Sequence, residues 1–409
     1  MKILIHRGAS EIGGSCIELM HNGKSILLDY GRPLDANAPI VPHSLLPERI
    51  SAIIASHLHQ DHIGMADSLA VPVYIGTQAL AMLREAAVWV SHTPALDNAV
   101  AYQPLKAFEV AGFRITPYPV DHSAFDSYAF LIEAGGKRVF YSGDFRDSGY
   151  TAYKTERLFV QPPQDIDLLL MEGTTIGSVI NSAGFATHGN TKEADLIDMI
   201  CTTVKPAGCT VEDNAGMVLF AASSQNIDRL VTAYKAANKL GRKFVIDAYA
   251  YSMLKATGVK SIQSALANML VYIPQYQRVK IKNEQLFDKL CPRKQRIFIE
   301  ELAQSPEKYL ILYRNAHIYD FSVDMLKNAI VLYSQWSGYL TGDSHIERFV
   351  QQHGLPLRHV HTSGHADIAT LQRLAQALKP KVLVPVHSEY PELYSEYFEN
   401  VKVVSEINL

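Results

Sequence analysis

The segment Ser56-His57-Leu58-His59-Gln60-Asp61-His62-Ile63-Gly64 packs four metal-capable side chains into six residues. It follows Ser51–Ser56, a short β-branched run that reads as a strand. On an extended strand end, residues two apart point the same way, so His57 and His59 can share one metal ion. The chain then turns into a helix start, which carries Asp61 and His62 to a neighbouring position for a second ion. Histidine nitrogens with one carboxylate suit zinc, or manganese where oxygen donors increase. The competing reading is a solvated, His-rich turn. Three further residues of the same chemistry stand at other strand ends. His122 follows Phe113–Val120, Asp144 follows Arg138–Ser142 with Gly143 allowing a tight backbone, and His387 follows Lys381–Pro385. Alone, each reads as a surface cap or a satisfied core histidine. Together they are complementary, because a two-metal site takes roughly seven ligands with one bridging carboxylate.

The elements that must position these residues are legible from pattern. The first 60 residues form a β-meander: Met1–Ile5, Ser15–Leu19 and Ser25–Asp29, with His21-Asn22-Gly23-Lys24 as a hairpin turn. Thr77–Val90 reads as a helix. The strands Ser127–Glu133 and Arg138–Ser142 are joined by Ala134-Gly135-Gly136-Lys137, and Asp167–Glu172 is a buried-strand run. After about Gly173 the texture changes. Asn190 with Glu193 marks a helix start, continued over Thr191–Lys205. Met217–Ala222, Asn226–Leu240 and Lys243–Ala248 then form a parallel strand–helix–strand unit. A mostly helical, more basic stretch over 252–309 includes Lys280-Ile281-Lys282 and Pro292-Arg293-Lys294-Gln295-Arg296. Strands return at Tyr309–Tyr313, Ala329–Tyr333 and His359–Thr362, and Ala366–Leu378 is a helix.

Composition narrows the classes. The chain of 409 residues is 48% hydrophobic and 19% charged, with a net charge of -3. That is globular rather than disordered, and carries no global basic charge. Cys16, Cys201, Cys209 and Cys291 form no C-x-x-C pair, which argues against a thiolate zinc site and a disulfide framework. Met1–Gly8 is too short and too charged for a signal peptide, and no run reaches membrane-spanning length. The expectation is a cytoplasmic protein without membrane contact.

H-x-H-x-D-H followed by separate His, Asp and His resembles the metallo-β-lactamase fold, an α/β αββα sandwich with its metal site at strand ends. Thr362-Ser363-Gly364-His365-Ala366, Leu378-Lys379-Pro380-Lys381 and Pro385-Val386-His387-Ser388-Glu389-Tyr390 resemble the C-terminal motifs of the β-CASP nucleases, ribonuclease J above all. Glu11-Ile12-Gly13-Gly14 and Leu28-Asp29-Tyr30-Gly31 match that family's opening motifs. The resemblance covers almost the whole chain. It implies a discontinuous core, 1–190 plus 337–409, with a β-CASP α/β domain inserted at 191–336. It also implies that ribonuclease J's additional C-terminal domain has no counterpart in a sequence ending at Leu409.

Carried over, the resemblance assigns His57, His59 and His122 to one metal. It assigns Asp61, His62 and His387 to the other, with Asp144 bridging. Asp29 becomes a carboxylate that orients ligands. Glu172 becomes a hydrogen-bonding partner around the site, and His365 the contact to the scissile phosphate. The implied activity is hydrolysis of single-stranded RNA, endonucleolytic, 5′-to-3′ exonucleolytic or both. It would use two divalent ions, zinc first and manganese as the alternative, which lower the pKa of water and neutralise charge on phosphoryl oxygens.

Two phosphate cradles are expected. Ser363, Gly364 and His365 precede the helix Ala366–Leu378, whose free amides would face an anion. Ser224, Asn226 and Arg229 resemble the family's S-N-x-x-R substrate segment. Gln225 interrupts that pattern, and Asp228 stands where ribonuclease J often has His. The bland reading of this segment is an ordinary Ser/Asn helix cap. The basic stretches could line an RNA groove, although such runs are usually solvated helix faces. Most tyrosines, Tyr249, Tyr251, Tyr272 and Tyr276 included, are expected to pack rather than stack on bases. The rival functions are a DNA nuclease of the same superfamily, a small-ester metallohydrolase and a silent RNA-binding subunit. His387 favours RNA over DNA, because the DNA-directed branch tends to lack it. A homodimer is compatible with the sequence, which does not set the oligomeric state.

Overall fold

Alternation builds the first strand: in Lys2–Arg7, Ile3 and Ile5 turn into the interior while their neighbours are half-buried. It pairs antiparallel with Cys16–His21, which pairs antiparallel with Lys24–Tyr30 across a turn with Asn22 at φ 48° and Gly23 at φ 73°. Two consecutive positive φ angles match the right-handed twist of a hairpin, and Asn-Gly tolerates them. In the computed structural model, which describes residues 1–35, 37–177, 191–205, 216–342 and 344–409, chain contacts separate two units.

The first unit comprises Met1–Asn190 and Gly364–Leu409. Its seven-stranded sheet runs Glu406–Asn408, Lys2–Arg7, Cys16–His21, Lys24–Tyr30, Ile50–Ile54, Val73–Gly76, Ala99–Tyr102. Its six-stranded sheet runs Val382–Val386, Leu168–Glu172, Lys137–Tyr141, Ser127–Ala134, Phe113–Val120, Phe108–Val110. Apolar side chains from both sheets share one core, Ile17, Ile26 and Ile54 meeting Phe130, Ile132 and Val139. Helices Ala152–Val160 and Ile368–Leu378 cover the outer face of the six-stranded sheet through Leu158, Leu371 and Leu374. Helix Thr77–Trp89 packs on the seven-stranded sheet. This is the expected αββα arrangement.

The second unit, Thr191–Ser363, holds an all-parallel sheet in the order Leu270–Val271, Lys243–Ile246, Tyr309–Tyr313, Val218–Ala221, Ile330–Tyr333, Leu357–His359. Its central strands are uninterrupted apolar runs because helices cover both faces. Leu230, Ala233 and Ala237 lie on one covering helix, Ile346 and Phe349 on another. Residues 337–363, expected with the returning core, fold here instead: Leu357–His359 pairs with Ile330–Tyr333. The helix expected over Thr191–Lys205 spans Leu196–Val204. The cap proposed for it, Asn190, lies outside the described residues. Tyr249, Tyr251 and Tyr272 are buried as expected, whereas Tyr276 is exposed. No helix among the described residues is long and apolar enough to cross a membrane.

Candidate metal centre

Strand Ile50–Ile54 ends three residues before His57, and His59 is the N-cap residue of the single turn Gln60–Ile63. The extended stretch between them brings the His57 and His59 rings to 4.8 Å, and the turn swings Asp61 and His62 aside. The other strand ends converge on the same place. His57, His59 and His122 gather with their ligating atoms within 4.8 Å of one another, as do Asp61, His62 and His387. Asp144 reaches both groups. Its Oδ2 is 3.1 Å from His62 Nε2 and 3.9 Å from His57 Nε2, and its Oδ1 is 3.7 Å from His387 Nδ1. Tight backbone makes this approach available. Gly143 has φ 53°, and a Cβ there would meet the Tyr128 carbonyl at 2.7 Å. Asp29 at φ 57° and His387 at φ 51° are held in the left-handed region that ordinary residues avoid.

Bonds from outside aim the rings inward. His122 Nδ1 donates to the Gly364 carbonyl at 2.6 Å, so its Nε2 keeps a free lone pair. His62 Nδ1 donates to Asp29 Oδ2 at 2.8 Å, which turns Nε2 toward Asp61 and Asp144. His57 Nδ1 lies 3.0 Å from Ser56 Oγ, and His387 Nδ1 lies 2.9 Å from Thr174 Oγ1. His59 differs: its Nδ1 faces inward, 3.3 Å from His122 Nε2. Asp29 also accepts from Ser56 N, Ser56 Oγ and Tyr141 OH at 2.7, 2.8 and 2.6 Å. The sequence does not single out Ser56, Tyr141 or Thr174 as partners of the ligands, and it points to Gly364 for a phosphate cradle rather than for His122. Ser56 abuts the His motif and Thr174 stands two residues past Glu172, so adjacency was the available signal.

The electrostatics divide the site. Burial, then the neighbouring histidines, holds His57 and His122 well below the usual imidazole range. Burial brings His59 down to about 4. Burial opposes charge on His62 as well, but the carboxylates of Asp144, Asp29 and Asp61 outweigh it and lift His62 well above the usual value. For His365, burial is likewise outweighed by Glu172 and Asp144, which raise it to about 9. Its Nδ1 lies 3.3 Å from Glu172 Oε1. Asp61 and Asp144 are held below the usual carboxylate range: burial works against this, and the surrounding histidines prevail.

The donor set fits metal ions. His57 Nε2, His62 Nε2 and Asp144 Oδ1 are buried without a hydrogen-bond partner. Orphaned polar atoms are costly in an interior, and here they point at one another with ligand chemistry. Five imidazoles and two carboxylates suit divalent cations that accept nitrogen.

The expected substrate contacts fare differently. Arg229 is buried and saturated, bonded to Glu193, Ser334, His361 and the Thr362 carbonyl. It is a structural pin of the second unit, not a group presented to substrate. Asn226 caps helix Ile227–Lys239 by accepting from Arg229 N at 3.0 Å. Ser224 is buried and accepts from Arg314 Nη1 at 2.6 Å. The helix expected from Ala366 begins at Ile368, capped by Asp367, which accepts from Thr370 N. The Asp367 carboxylate thus takes one amide of the first turn. Gly364 instead serves His122, and a Cβ there would meet Ser123 Oγ at 2.4 Å.

Residues 26–200 match the family model of the beta-lactamase superfamily domain. Residues 356–404 match that of the Zn-dependent metallo-hydrolase RNA specificity domain. Ribonuclease J 1 of Streptococcus pyogenes is 24% identical over 94% of the chain and 68% of its own length. Ribonuclease J2 of Bacillus subtilis is 22% identical over 95% of the chain and 69% of its length. RNase aCSPSF2 of Saccharolobus solfataricus is 27% identical over 49% of the chain and 43% of its length. A crystal structure of a protein of unknown function from Enterococcus faecalis superposes over 100% of the chain and 99% of its own, with a TM-score of 0.77 at 20% identity, and shares the fold. The two domain matches in order, the two ribonuclease J relatives that span both units and the gathered His/Asp cluster agree, and together they support a ribonuclease J-like β-CASP protein.

Proposed function

We propose that the chain is a metal-dependent ribonuclease that hydrolyses phosphodiester bonds of single-stranded RNA at this centre. One observation carries the reading: two triads of ligands with Asp144 in reach of both, joined to a match with an RNA specificity domain. His57, His59 and His122 would hold one divalent ion and Asp61, His62 and His387 the other. The nitrogen-rich donors favour zinc, with manganese as the alternative. Such ions supply Lewis acidity and a water acidic enough to be a nucleophile at neutral pH.

The chain's own residues do the rest. Asp29, Ser56, Thr174 and the Gly364 carbonyl fix ring orientation, so no ligand must reorient during turnover. His365, half-exposed and raised to about 9 by Glu172 and Asp144 against burial, has Nδ1 3.3 Å from Glu172 Oε1 and would meet a phosphate oxygen of the substrate. There it donates a hydrogen bond to a non-bridging oxygen or passes its proton to the leaving 3′ oxygen. Three free cysteines among the described residues suit a reducing, cytoplasmic setting. The test is product length on a gel, from end-labelled single-stranded RNA carrying 5′-monophosphate, triphosphate or hydroxyl, beside a matched DNA. Wild type and Asp61→Ala are compared with zinc, manganese or EDTA. Metal-dependent RNA products that Asp61→Ala abolishes support the reading. Cleavage of DNA alone, or intact RNA throughout, sinks it.

A further inference from the structure

His122 and Asp144 sit on loops that a buried ion pair ties together. Asp121 and Arg146 are both fully buried, with Arg146 Nε 3.3 Å from Asp121 Oδ2. Their main chains meet in an isolated antiparallel bridge, Arg146 N donating to Asp121 O at 2.7 Å. The same carboxylate accepts from Gly149 N at 2.6 Å and Thr151 Oγ1 at 2.7 Å. The buried Thr155 hydroxyl accepts from Asp121 N at 2.9 Å and donates to Arg146 O at 2.7 Å. A Cβ on Gly149 would fall 2.5 Å from both Asp121 Oδ1 and Arg146 Nη2, so the loop closes around the pair.

The placement matters because Asp121 immediately precedes His122, and Arg146 stands two residues after Asp144. Asp144 Oδ1 has no hydrogen bond of its own and Oδ2 comes closest to His62 Nε2, at 3.1 Å, so the backbone has a large share in placing the carboxylate. The backbone that follows Asp144 is held by Phe145 N donating to Glu172 Oε1 at 3.3 Å and, one residue on, by Arg146. The His122 ring is oriented by the Gly364 carbonyl, but its main-chain position is set by Asp121. A buried carboxylate–guanidinium pair is weak evidence for stability, since desolvation offsets much of the attraction. Its value here is geometric.

We propose that Asp121 and Arg146 are positioning residues whose ion pair sets the separation of His122 from Asp144, and through it the affinity for the metal ions. This rests on the reading that His122 and Asp144 are ligands. Neither residue touches substrate, and the role needs no RNA to be observed.

The test titrates metal-stripped protein with zinc against a chromophoric chelator, and with cobalt(II) for its visible spectrum, which reports ligand geometry. Asp121→Asn removes the charge and leaves Arg146 to compete for fewer acceptors. Its zinc affinity is expected to drop by about 10- to 100-fold, the usual cost of losing a partner behind a ligand. Its cobalt spectrum is expected to differ from that of wild type. Should Asp121→Asn fail to fold, Thr151→Val decides. It deletes one hydroxyl donor to the carboxylate without changing charge, and is expected to weaken zinc severalfold while the metal-free protein keeps its melting temperature. Folded variants with wild-type zinc affinity and an unchanged cobalt spectrum overturn the proposal. A wild type that binds no zinc overturns it together with the ligand assignment. RNA left uncut by a zinc-binding wild type contradicts the ribonuclease reading alone.

Discussion

His62 Nδ1 lies 2.8 Å from Asp29 Oδ2, and both side chains are fully buried. The contact settles which nitrogen of His62 carries the proton in the neutral ring and turns Nε2 toward Asp61 and Asp144. Asp29 does this from a left-handed backbone position that Asn also tolerates. Asp29→Asn therefore keeps the turn and loses the charge. Its metal affinity should drop by about 10- to 100-fold, measured by chelator competition, with the fold retained by circular dichroism.

Proton competition should be visible. His62 is raised well above the usual value, against burial, by Asp144, Asp29 and Asp61, so the metal-free protein holds a proton there at neutral pH. That proton stabilises the metal-free fold below the unfolded value of about 6.5, and the benefit fades as pH rises through the raised value. A metal must displace it. Apparent affinity should therefore rise with pH, and calorimetry in buffers of different ionisation enthalpy should show proton release at pH 7. Heats independent of the buffer would contradict this. His59, lowered by burial to about 4, adds no competition in that range.

His365 is predicted to matter for rate and not for loading. His365→Gln should retain the wild-type metal content by elemental analysis. Its kcat should fall by roughly 10²- to 10⁴-fold, the range for a lost general acid. Equal loss of metal and rate would show that His365 acts through the ligands instead.

Gly31 is a test of how closely the site's backbone is packed. A Cβ there would fall 1.7 Å from the Asp61 carbonyl oxygen, which must shift with its main chain. Gly31→Ala should cost about 1–3 kcal/mol or more, as overpacking does. It should also impair metal binding by Asp61 and His62. Thermal melting with and without zinc reads both effects.

Arg229→Ala separates a structural pin from a substrate contact. Four partners would lose a buried cation, and removing one member of such a pair costs about 3–5 kcal/mol. A lower melting temperature is expected. A folded variant of unchanged stability but raised KM would restore the substrate reading.

Much of the site was readable because its chemistry is local. His57, His59, Asp61 and His62 are nearly contiguous, and His122, Asp144 and His387 follow apolar runs whose ends are marked by pattern. Phe113–Val120 and Tyr309–Tyr313 match the sequence expectation residue for residue, since each is bounded by polar or turn residues. What escaped was set by distant partners. Arg229 reads as part of a substrate segment until Glu193 and Ser334 are seen around it. The helix expected from Ala366 starts two residues late, at Ile368, because Asp367 is its cap. Residues 337–363 join the second unit through the strand Leu357–His359, offset from the strand expected over His359–Thr362.

The central claim is that RNA is cut by a centre that depends on Asp144, the carboxylate within reach of both ligand groups. The most direct measurement follows cleavage of one end-labelled single-stranded RNA by wild type and Asp144→Asn, each stripped of metal and then resupplied with zinc or manganese. Stripped wild type should be inactive and recover on resupply, while Asp144→Asn, folded by circular dichroism, should stay at background. A variant that cleaves at the wild-type rate, or a resupplied wild type that leaves the RNA intact, would contradict it.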